Sequence, residues 1–337
     1  SRGAAAAALA ALCDGYEPGR AAFLKTGGVG PLAKMLSAAG LGKDPRDFAA
    51  RCLTNVTATG DKSKAAVAPH APALAALAKD PKMSASGREA AARCLANVLS
   101  WDAADAPPDL VETALELLRR SDAEPREAGA ALLRAVALKA DATDVDARLT
   151  DVATALSAAL HGEALVVEAA CGALAHLAAR SVAGGEAVAA IEHVVRDLLN
   201  HLTKCSSVSV PAAAALRNVA ARSAGFRAAV VDGGGVEKLA DALSVDALSS
   251  SIDVDELAAQ AAGCLLHLAV DRAEAVAPCR AKLAAALRRA PSEASGALEL
   301  LASHDAALIL PHAGALARAL PDGVAAVALA RLAAVDQ

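Results

Sequence analysis

Ala-Ala-Arg-Cys-Leu-Thr-Asn-Val at residues 49–56 recurs as Ala-Ala-Arg-Cys-Leu-Ala-Asn-Val at residues 91–98. The pattern continues along the chain when its leucine is used as an anchor. The anchor leucines, which are 31 to 49 residues apart, are Leu9, Leu53, Leu95, Leu133, Leu174, Leu216, Leu265, Leu298 and Leu329. A pattern with this period predicts stacked helical repeats, because a single unit cannot bury its apolar face alone.

The positions four before, at and three after each anchor share one face of a helix, since 3.6 residues complete a turn. The position four before is Ala or Gly in all nine copies, and the position three after is Leu or Val. Small side chains at one end and branched ones at the other allow one helix to pack closely against its copy. We therefore predict that this face forms the buried core.

A second stretch gives the same register independently. Residues 20–29 align without gaps on residues 227–236, an offset of 207 that also places Leu9 on Leu216. Both stretches end in a glycine turn followed by valine. Each repeat is therefore predicted to contain a short helix, a glycine turn, a second helix, a polar loop and a third helix that carries the anchor.

The composition favours an all-α protein and excludes several function classes. Hydrophobic residues make up 55% of the chain, much of them alanine, and alternating segments typical of strands are absent. The net charge of −5, without a basic cluster, argues against nucleic-acid binding. Charged residues, Pro or Gly interrupt every apolar stretch before the ~18 residues that a membrane span needs. The seven cysteines have no disulfide spacing, so we expect a reduced protein of the cytoplasm or nucleus.

The anchor pattern and the turns Gly27-Gly28-Val29 and Gly234-Gly235-Val236 resemble armadillo-repeat proteins, the family of importin-α, β-catenin and the plakophilins. The resemblance implies a right-handed α-solenoid of about eight to nine repeats, which form one domain over residues 1–337. A partial first repeat covers residues 1–14. The resemblance is clearest over 18–100 and 210–270, whereas the repeats over 105–165 and 285–337 are degenerate.

Armadillo proteins bind extended peptides in a groove, where an asparagine two residues after the anchor holds the peptide main chain. Asparagine suits this role because it has one acceptor and two donors. An amide that bridges neighbouring helices is the alternative explanation for this position. The residues found here are Ala11, Asn55, Asn97, Ala135, His176, Asn218, His267, Leu300 and Arg331.

Two residues before the anchor, where importin-type repeats carry tryptophan, this chain has Arg51 and Arg93 in the two clearest copies. The missing tryptophans argue against nuclear-import cargo. Two arginines on adjacent repeats favour an acidic or phosphorylated ligand through charge-assisted hydrogen bonds. The alternative is that they pair with Asp47 and Glu89, each four residues earlier.

These observations predict a non-enzymatic protein-binding scaffold or adaptor without a metal or cofactor. A second possibility within the family is the armadillo segment of a co-chaperone for myosin or axonemal dynein assembly. A metalloprotein or enzyme using Cys264 and His267 is the hypothesis from another class, although two ligands fall short of a zinc site. The predicted groove residues are Arg51, Asn55, Arg93, Asn97, His176, Asn218 and His267.

Overall fold

The computed structural model describes residues 2–14, 16–38, 43–58, 60–101, 104–139, 143–202, 206–245, 253–318 and 330, and all regular secondary structure in these ranges is helical. The all-α prediction is therefore confirmed. The first twelve α-helices are α1 (Arg2–Cys13), α2 (Glu17–Lys25), α3 (Val29–Ser37), α4 (Lys43–Thr57), α5 (Asp61–Val67), α6 (Ala71–Lys79), α7 (Ala85–Leu99), α8 (Leu110–Leu118), α9 (Ala123–Ala137), α10 (Thr143–Asp146), α11 (Leu149–Ala159) and α12 (Ala164–Arg180).

The remaining helices follow without an intervening strand in the described ranges. They are α13 (Val182–Ala189), α14 (Val194–Leu202), α15 (Ser209–Ala220), α16 (Ala224–Asp232), α17 (Gly235–Ala242), α18 (Val254–Val276), α19 (Arg280–Ala286), α20 (Pro291–His304) and α21 (Ala313–Arg318). Short 3-10 segments cover Ala68–His70, Ala277–Cys279, Ala306–Leu308 and Leu310–His312. The chain divides into two compact units, Ser1–Ala173 and Leu174–Gln337. No described helix is both long enough and apolar enough to cross a membrane.

The helices that carry the anchor leucines, called anchor helices below, pack against one another in chain order. In the first unit α1 contacts α4, α4 contacts α7 and α7 contacts α9. In the second unit α15 contacts α18, and α18 contacts α20. Within each unit these anchor helices thus bury their apolar faces against one another, as the repeated pattern predicts.

The predicted core face is buried in seven of the nine copies, from the one around Leu53 to the one around Leu298. The first copy differs, because Leu9 is only half-buried and Leu12 is 46% exposed. The residues one step further along α1 are buried instead, on the side that α4 and α2 cover. The ninth copy, around Leu329, lies outside the described residues.

The offset of 207 residues relates two structurally equivalent segments. Helix α2 begins and ends 207 residues before α16. Gly27 and Gly234, which the offset superposes, both have a φ of 71°, a left-handed conformation that suits glycine. The next residue of each turn is also glycine. A Cβ there would need the space that the ring of Phe23 occupies in the first turn and the side chain of Val230 occupies in the second.

The same equivalence extends to the arginines that begin the two aligned stretches. Arg20 Nη1 donates to the Cys13 carbonyl oxygen over 3.3 Å, and Arg227 Nη1 donates to the Ala220 carbonyl oxygen over 2.7 Å. Both acceptors stand four residues after an anchor, at the end of an anchor helix. Each arginine therefore satisfies a carbonyl that has no partner within its helix.

The predicted degenerate region over 105–165 contains a repeat of two helices rather than three. Pro107 and Pro108 follow α7 in a segment without regular structure, and α8 and α9 come next. Proline lacks the N–H that a helix interior requires. Among the described residues, this repeat therefore has no counterpart of the short first helix of the unit, which agrees with the short spacing between Leu95 and Leu133.

Candidate binding surface

Asn55 and Asn218 make the same contact in the two units. Asn55 Nδ2 donates to the Ala10 carbonyl oxygen over 3.2 Å, and Asn218 Nδ2 donates to the Ala175 carbonyl oxygen over 2.9 Å. Each acceptor is the residue directly after the preceding anchor. The amide therefore links an anchor helix to the one before it, as the alternative explanation predicts.

Asn97 bridges two anchor helices as well. Its Nδ2 donates to Thr57 Oγ1 over 3.3 Å and approaches the Thr54 carbonyl oxygen at 3.5 Å. Thr54 again directly follows an anchor. Within the described part of the chain, the side-chain carbonyl of Asn97 accepts no hydrogen bond, and the same is true of the other two asparagines. Each half-buried amide thus keeps an acceptor that a ligand could use.

Histidines occupy the equivalent position on α12 and α18. His176 and His267 are both half-buried. Burial lowers the pKa of His267, and the neighbouring guanidinium groups of Arg217, Arg227 and Arg222 lower it further. The imidazole of His267 is therefore neutral at pH 7, with one donor and one acceptor, and offers the same two functions as an amide.

The two predicted arginines have different surroundings. Arg93 Nη2 pairs with Glu89 over 3.3 Å, contacts Glu127 more closely and donates to the Glu124 carbonyl oxygen over 3.3 Å. This confirms the alternative prediction that Arg93 pairs with Glu89, the acidic residue four positions earlier. Arg51 is exposed and makes no hydrogen bond or ion pair to a described residue.

The surface around Arg93 is acidic rather than basic. A pocket beside Arg93 is lined by Asp122, Glu124, Glu127 and Glu163. Burial raises the pKa of Glu127, although Arg93 opposes this increase. Because carboxylates already surround Arg93, its charge is neutralised before any ligand arrives.

The sequence interpretation missed Arg217, which crosses from α15 over α18. A Cβ at Gly263 would lie 2.6 Å from Arg217 Nε, so glycine is what leaves room for the arginine. The guanidinium reaches Gln260 through Nη1 and Glu293 on α20 through Nη2, both at 3.4 Å. Arg217 therefore connects three successive anchor helices.

Arg134 lies over Gly172 in the same way, with its Cδ 3.0 Å from the position of a Cβ. In both cases the arginine directly follows an anchor, and the glycine stands two residues before the next one. The repeat pattern assigned no role to these two glycines. An arginine in one repeat paired with a glycine in the next was the signal that could have revealed this arrangement.

Cys264 and His267, the residues of the alternative hypothesis, have no further ligand nearby among the described side chains. Burial raises the pKa of Cys264 to about 12, so the thiolate that would attack a substrate or bind zinc is strongly disfavoured. Among the described residues, no group of three or more His, Cys, Asp or Glu side chains is placed to hold a metal ion.

The predicted residues fall into two sets. Arg51, Asn55, Arg93 and Asn97 lie on α4 and α7 of the first unit. The other set lies on α12, α15 and α18 of the second unit and comprises His176, Asn218 and His267. Their binding role stays a prediction, while the bridging role of the asparagines is an observed contact.

No protein-family model and no curated protein matches this sequence. Two crystal structures of engineered proteins from the Northeast Structural Genomics Consortium are similar to it. The first is 23% identical, with a TM-score of 0.70 over 98% of this chain and 94% of the other. The second is 25% identical, with a TM-score of 0.58 over 71% of this chain and 96% of the other. This similarity supports an all-helical, repeat-like fold, and membership of the armadillo family stays a prediction.

Proposed function

We propose that this chain is a non-enzymatic scaffold or adaptor built as a right-handed solenoid of about eight to nine armadillo-like repeats. It binds an extended protein segment along its anchor helices. The repeated contacts between consecutive anchor helices within each unit support the architecture. The equivalence of Gly27 with Gly234 supports a repeated unit independently.

The observation that carries the binding role is the geometry that Asn55, Asn97 and Asn218 share. Each is fixed through its side-chain Nδ2 and keeps its carbonyl available at a half-buried position. Packed helices lie about 8–10 Å apart, and an extended chain advances about 3.3 Å per residue. Asparagines on neighbouring anchor helices can therefore reach peptide groups about three residues apart in one extended segment.

The charge preference of the first unit depends on Arg51. Arg93 is compensated by Glu89 and Glu127, so it adds little attraction for an acidic ligand. Arg51 remains exposed and free to pair with a carboxylate or phosphate of the segment. We therefore expect Arg51→Gln to weaken binding of acidic peptides more than Arg93→Gln does.

A library of random peptides, selected on the immobilised chain, provides a defined ligand for the first test. Fluorescence anisotropy then compares the affinities of the wild type, Asn97→Ala and Thr54→Val for the selected peptide. Thr54 Oγ1 donates to the Ala90 carbonyl oxygen over 2.7 Å inside the core, so Thr54→Val removes a contact between helices without touching the surface. We expect Asn97→Ala to weaken binding about tenfold and Thr54→Val to leave it unchanged, at a temperature where both variants are folded.

Equal affinities for the wild type and Asn97→Ala would assign this asparagine a structural role alone. The hypothesis of a metalloprotein or enzyme that uses Cys264 and His267 is tested separately, by the zinc content of the purified protein. Stoichiometric zinc that is lost in Cys264→Ser would contradict the proposed scaffold function. We expect no such zinc, since the buried Cys264 thiol disfavours deprotonation.

A further inference from the structure

We propose that Arg288, His312 and Arg318 form a binding site in the second unit for a phosphate monoester that carries an apolar group. The three side chains line one cavity of about 790 Å³ beside α19 and α21, two helices that contact each other. None of the described residues that line this cavity belongs to an anchor helix. The site is therefore separate from the surface to which we assign the extended protein segment.

The cavity brings together side chains from three segments of the chain. Arg288 follows α19, His312 ends the 3-10 segment Leu310–His312, and Arg318 ends α21. Arg318 Nη1 lies 3.7 Å from the position that a Cβ on Gly314 would take, so this guanidinium extends back along α21 toward the residues next to His312. One guanidinium thus comes from the α19 side of the cavity and the other from α21.

The positive charge of the cavity is not compensated within the described part of the chain. Arg288 and Arg318 are exposed and make no hydrogen bond or ion pair to a described residue. Lys282, on the same helix as most of the wall, differs because its Nζ lies 2.6 Å from Asp241 Oδ1. No carboxylate of a described residue lines the cavity. Its two guanidinium groups are therefore free to bind an anion.

The number of charges favours a phosphate monoester over a carboxylate. A guanidinium has five N–H donors and binds phosphate or carboxylate oxygens through paired, charge-assisted hydrogen bonds. A phosphate monoester carries a charge of about −1.5 to −2 at pH 7, which balances both arginines, whereas a carboxylate balances only one of them. The imidazole of His312 supplies a further N–H donor.

The rest of the wall favours an apolar group attached to the phosphate. Ala284 and Leu287 are buried residues of this wall, and Ala281, Ala285 and Ala315 complete it. Pockets for small organic ligands have volumes of about 300–1,000 Å³, and this cavity lies within that range. It therefore has room for an apolar group beside the phosphate, and the alanine and leucine side chains would contact that group.

Isothermal titration calorimetry of the chain with phenyl phosphate tests the site at pH 7.5 and constant ionic strength. Inorganic phosphate lacks the apolar group, and benzoate lacks the second charge. We expect phenyl phosphate to bind at one site and about tenfold more tightly than either comparison ligand. The absence of saturable binding, or an equal affinity for inorganic phosphate or benzoate, would overturn the proposed ligand class.

A short phosphotyrosine peptide, titrated in parallel, distinguishes two sources of the same chemical group. An affinity equal to that of phenyl phosphate assigns the ligand to a phosphorylated protein side chain. Weaker binding of the peptide assigns the ligand to a free small molecule.

Substitutions of the two arginines locate the bound phosphate. Arg288→Gln and Arg318→Gln should each weaken phenyl phosphate binding about tenfold, because each removes one charge-assisted contact. Arg120→Gln is the matched control, since it removes the same charge from an exposed arginine in the first unit and should leave the affinity unchanged. Wild-type affinity in both Arg288→Gln and Arg318→Gln would overturn the site.

Ala285→Glu provides a second test that leaves both arginines in place. Ala285 is an exposed residue of the wall, so the variant adds a carboxylate beside the guanidinium groups without disturbing the core. We expect Ala285→Glu to abolish binding and Ala285→Gln, which adds a similar volume without charge, to weaken it less. Equal affinities of these two variants would contradict an anion site. Either failure leaves the proposed binding of a protein segment unaffected.

Discussion

The Arg217 side chain lies directly over Gly263, whose Cβ position is 2.6 Å from Arg217 Nε. The arginine reaches Gln260 and Glu293 only because position 263 carries no side chain. An arginine directly after one anchor and a glycine two residues before the next thus form a complementary pair across two repeats. The pair of Arg134 and Gly172 repeats the arrangement in the first unit.

Gly263→Ala and Gly129→Ala should have opposite consequences. At position 263 the new methyl group meets the end of a flexible arginine, which can move away at the cost of a partly exposed ion pair. Alanine also gains about 1 kcal/mol of helix propensity, so we expect Gly263→Ala to be neutral or slightly stabilising. Gly129→Ala would place a Cβ 2.7 Å from the Ala114 carbonyl oxygen, and we expect a loss of about 1–3 kcal/mol from overpacking.

Urea unfolding of the two variants measures this contrast. A large destabilisation by Gly263→Ala would mean that Arg217 cannot be displaced. Equal stability of Gly129→Ala and the wild type would contradict the close packing of α8 against α9.

Gly27→Ala and Gly234→Ala should lower the free energy of unfolding by similar amounts. Both positions have a φ of 71°, and no atom lies within 4 Å of the place that a Cβ would take, so backbone strain is the dominant cost at each. A left-handed conformation costs about 1–2 kcal/mol for a residue with a side chain. Gly30→Ala is the matched control, since position 30 is equally open but has ordinary helical geometry in α3. Thermal unfolding should show losses for the first two variants and none for the control.

Asn218→Ala should destabilise the chain by about 1 kcal/mol, because it removes the hydrogen bond to the Ala175 carbonyl. Asn200→Ala is the control, since Asn200 is exposed and lies on α14, a helix that carries no anchor leucine. We expect the control to change the free energy of unfolding by less than about 0.5 kcal/mol. Equal effects of the two substitutions in urea unfolding would argue against a structural bridge at Asn218.

The stability of the chain should acquire a pH dependence from His267. Its pKa is lowered in the folded state, so the unfolded chain binds more protons at pH values between the folded value and about 6.5. The contribution of His267 to stability is therefore present above about pH 6.5 and is lost as the pH falls toward the folded pKa. Between about pH 7.5 and pH 5, the free energy of unfolding should therefore decrease less in His267→Gln than in the wild type. An identical decrease in the wild type and the variant would contradict the lowered pKa.

Local sequence was enough to predict the parts of the fold that depend on neighbouring residues in one repeat. The left-handed turns at Gly27 and Gly234 follow from two similar stretches of sequence, and both have the same geometry. The buried face around Leu53 follows from helical periodicity in the same way. Leu12 has the same local pattern but is 46% exposed, because burial depends on which helices pack against α1.

Contacts between repeats could be predicted only in part. Glu89 was identifiable as a partner of Arg93 because both lie on one helix, four residues apart. Glu127 also contacts Arg93, but it lies on the next anchor helix, where spacing along the chain does not define proximity. The crossing of Arg217 over Gly263 was missed for the same reason.

The side-chain amides of asparagine report most directly on the proposed binding role. The chain contains four asparagines, of which Asn55, Asn97 and Asn218 occupy the predicted surface and Asn200 does not. NMR spectra of asparagine-labelled protein can follow all four amides while the selected peptide is added. We predict saturable shifts at one or more of the three surface amides and none at Asn200. A peptide that binds tightly while the three surface amides keep their shifts would contradict the proposal that these asparagines hold an extended segment.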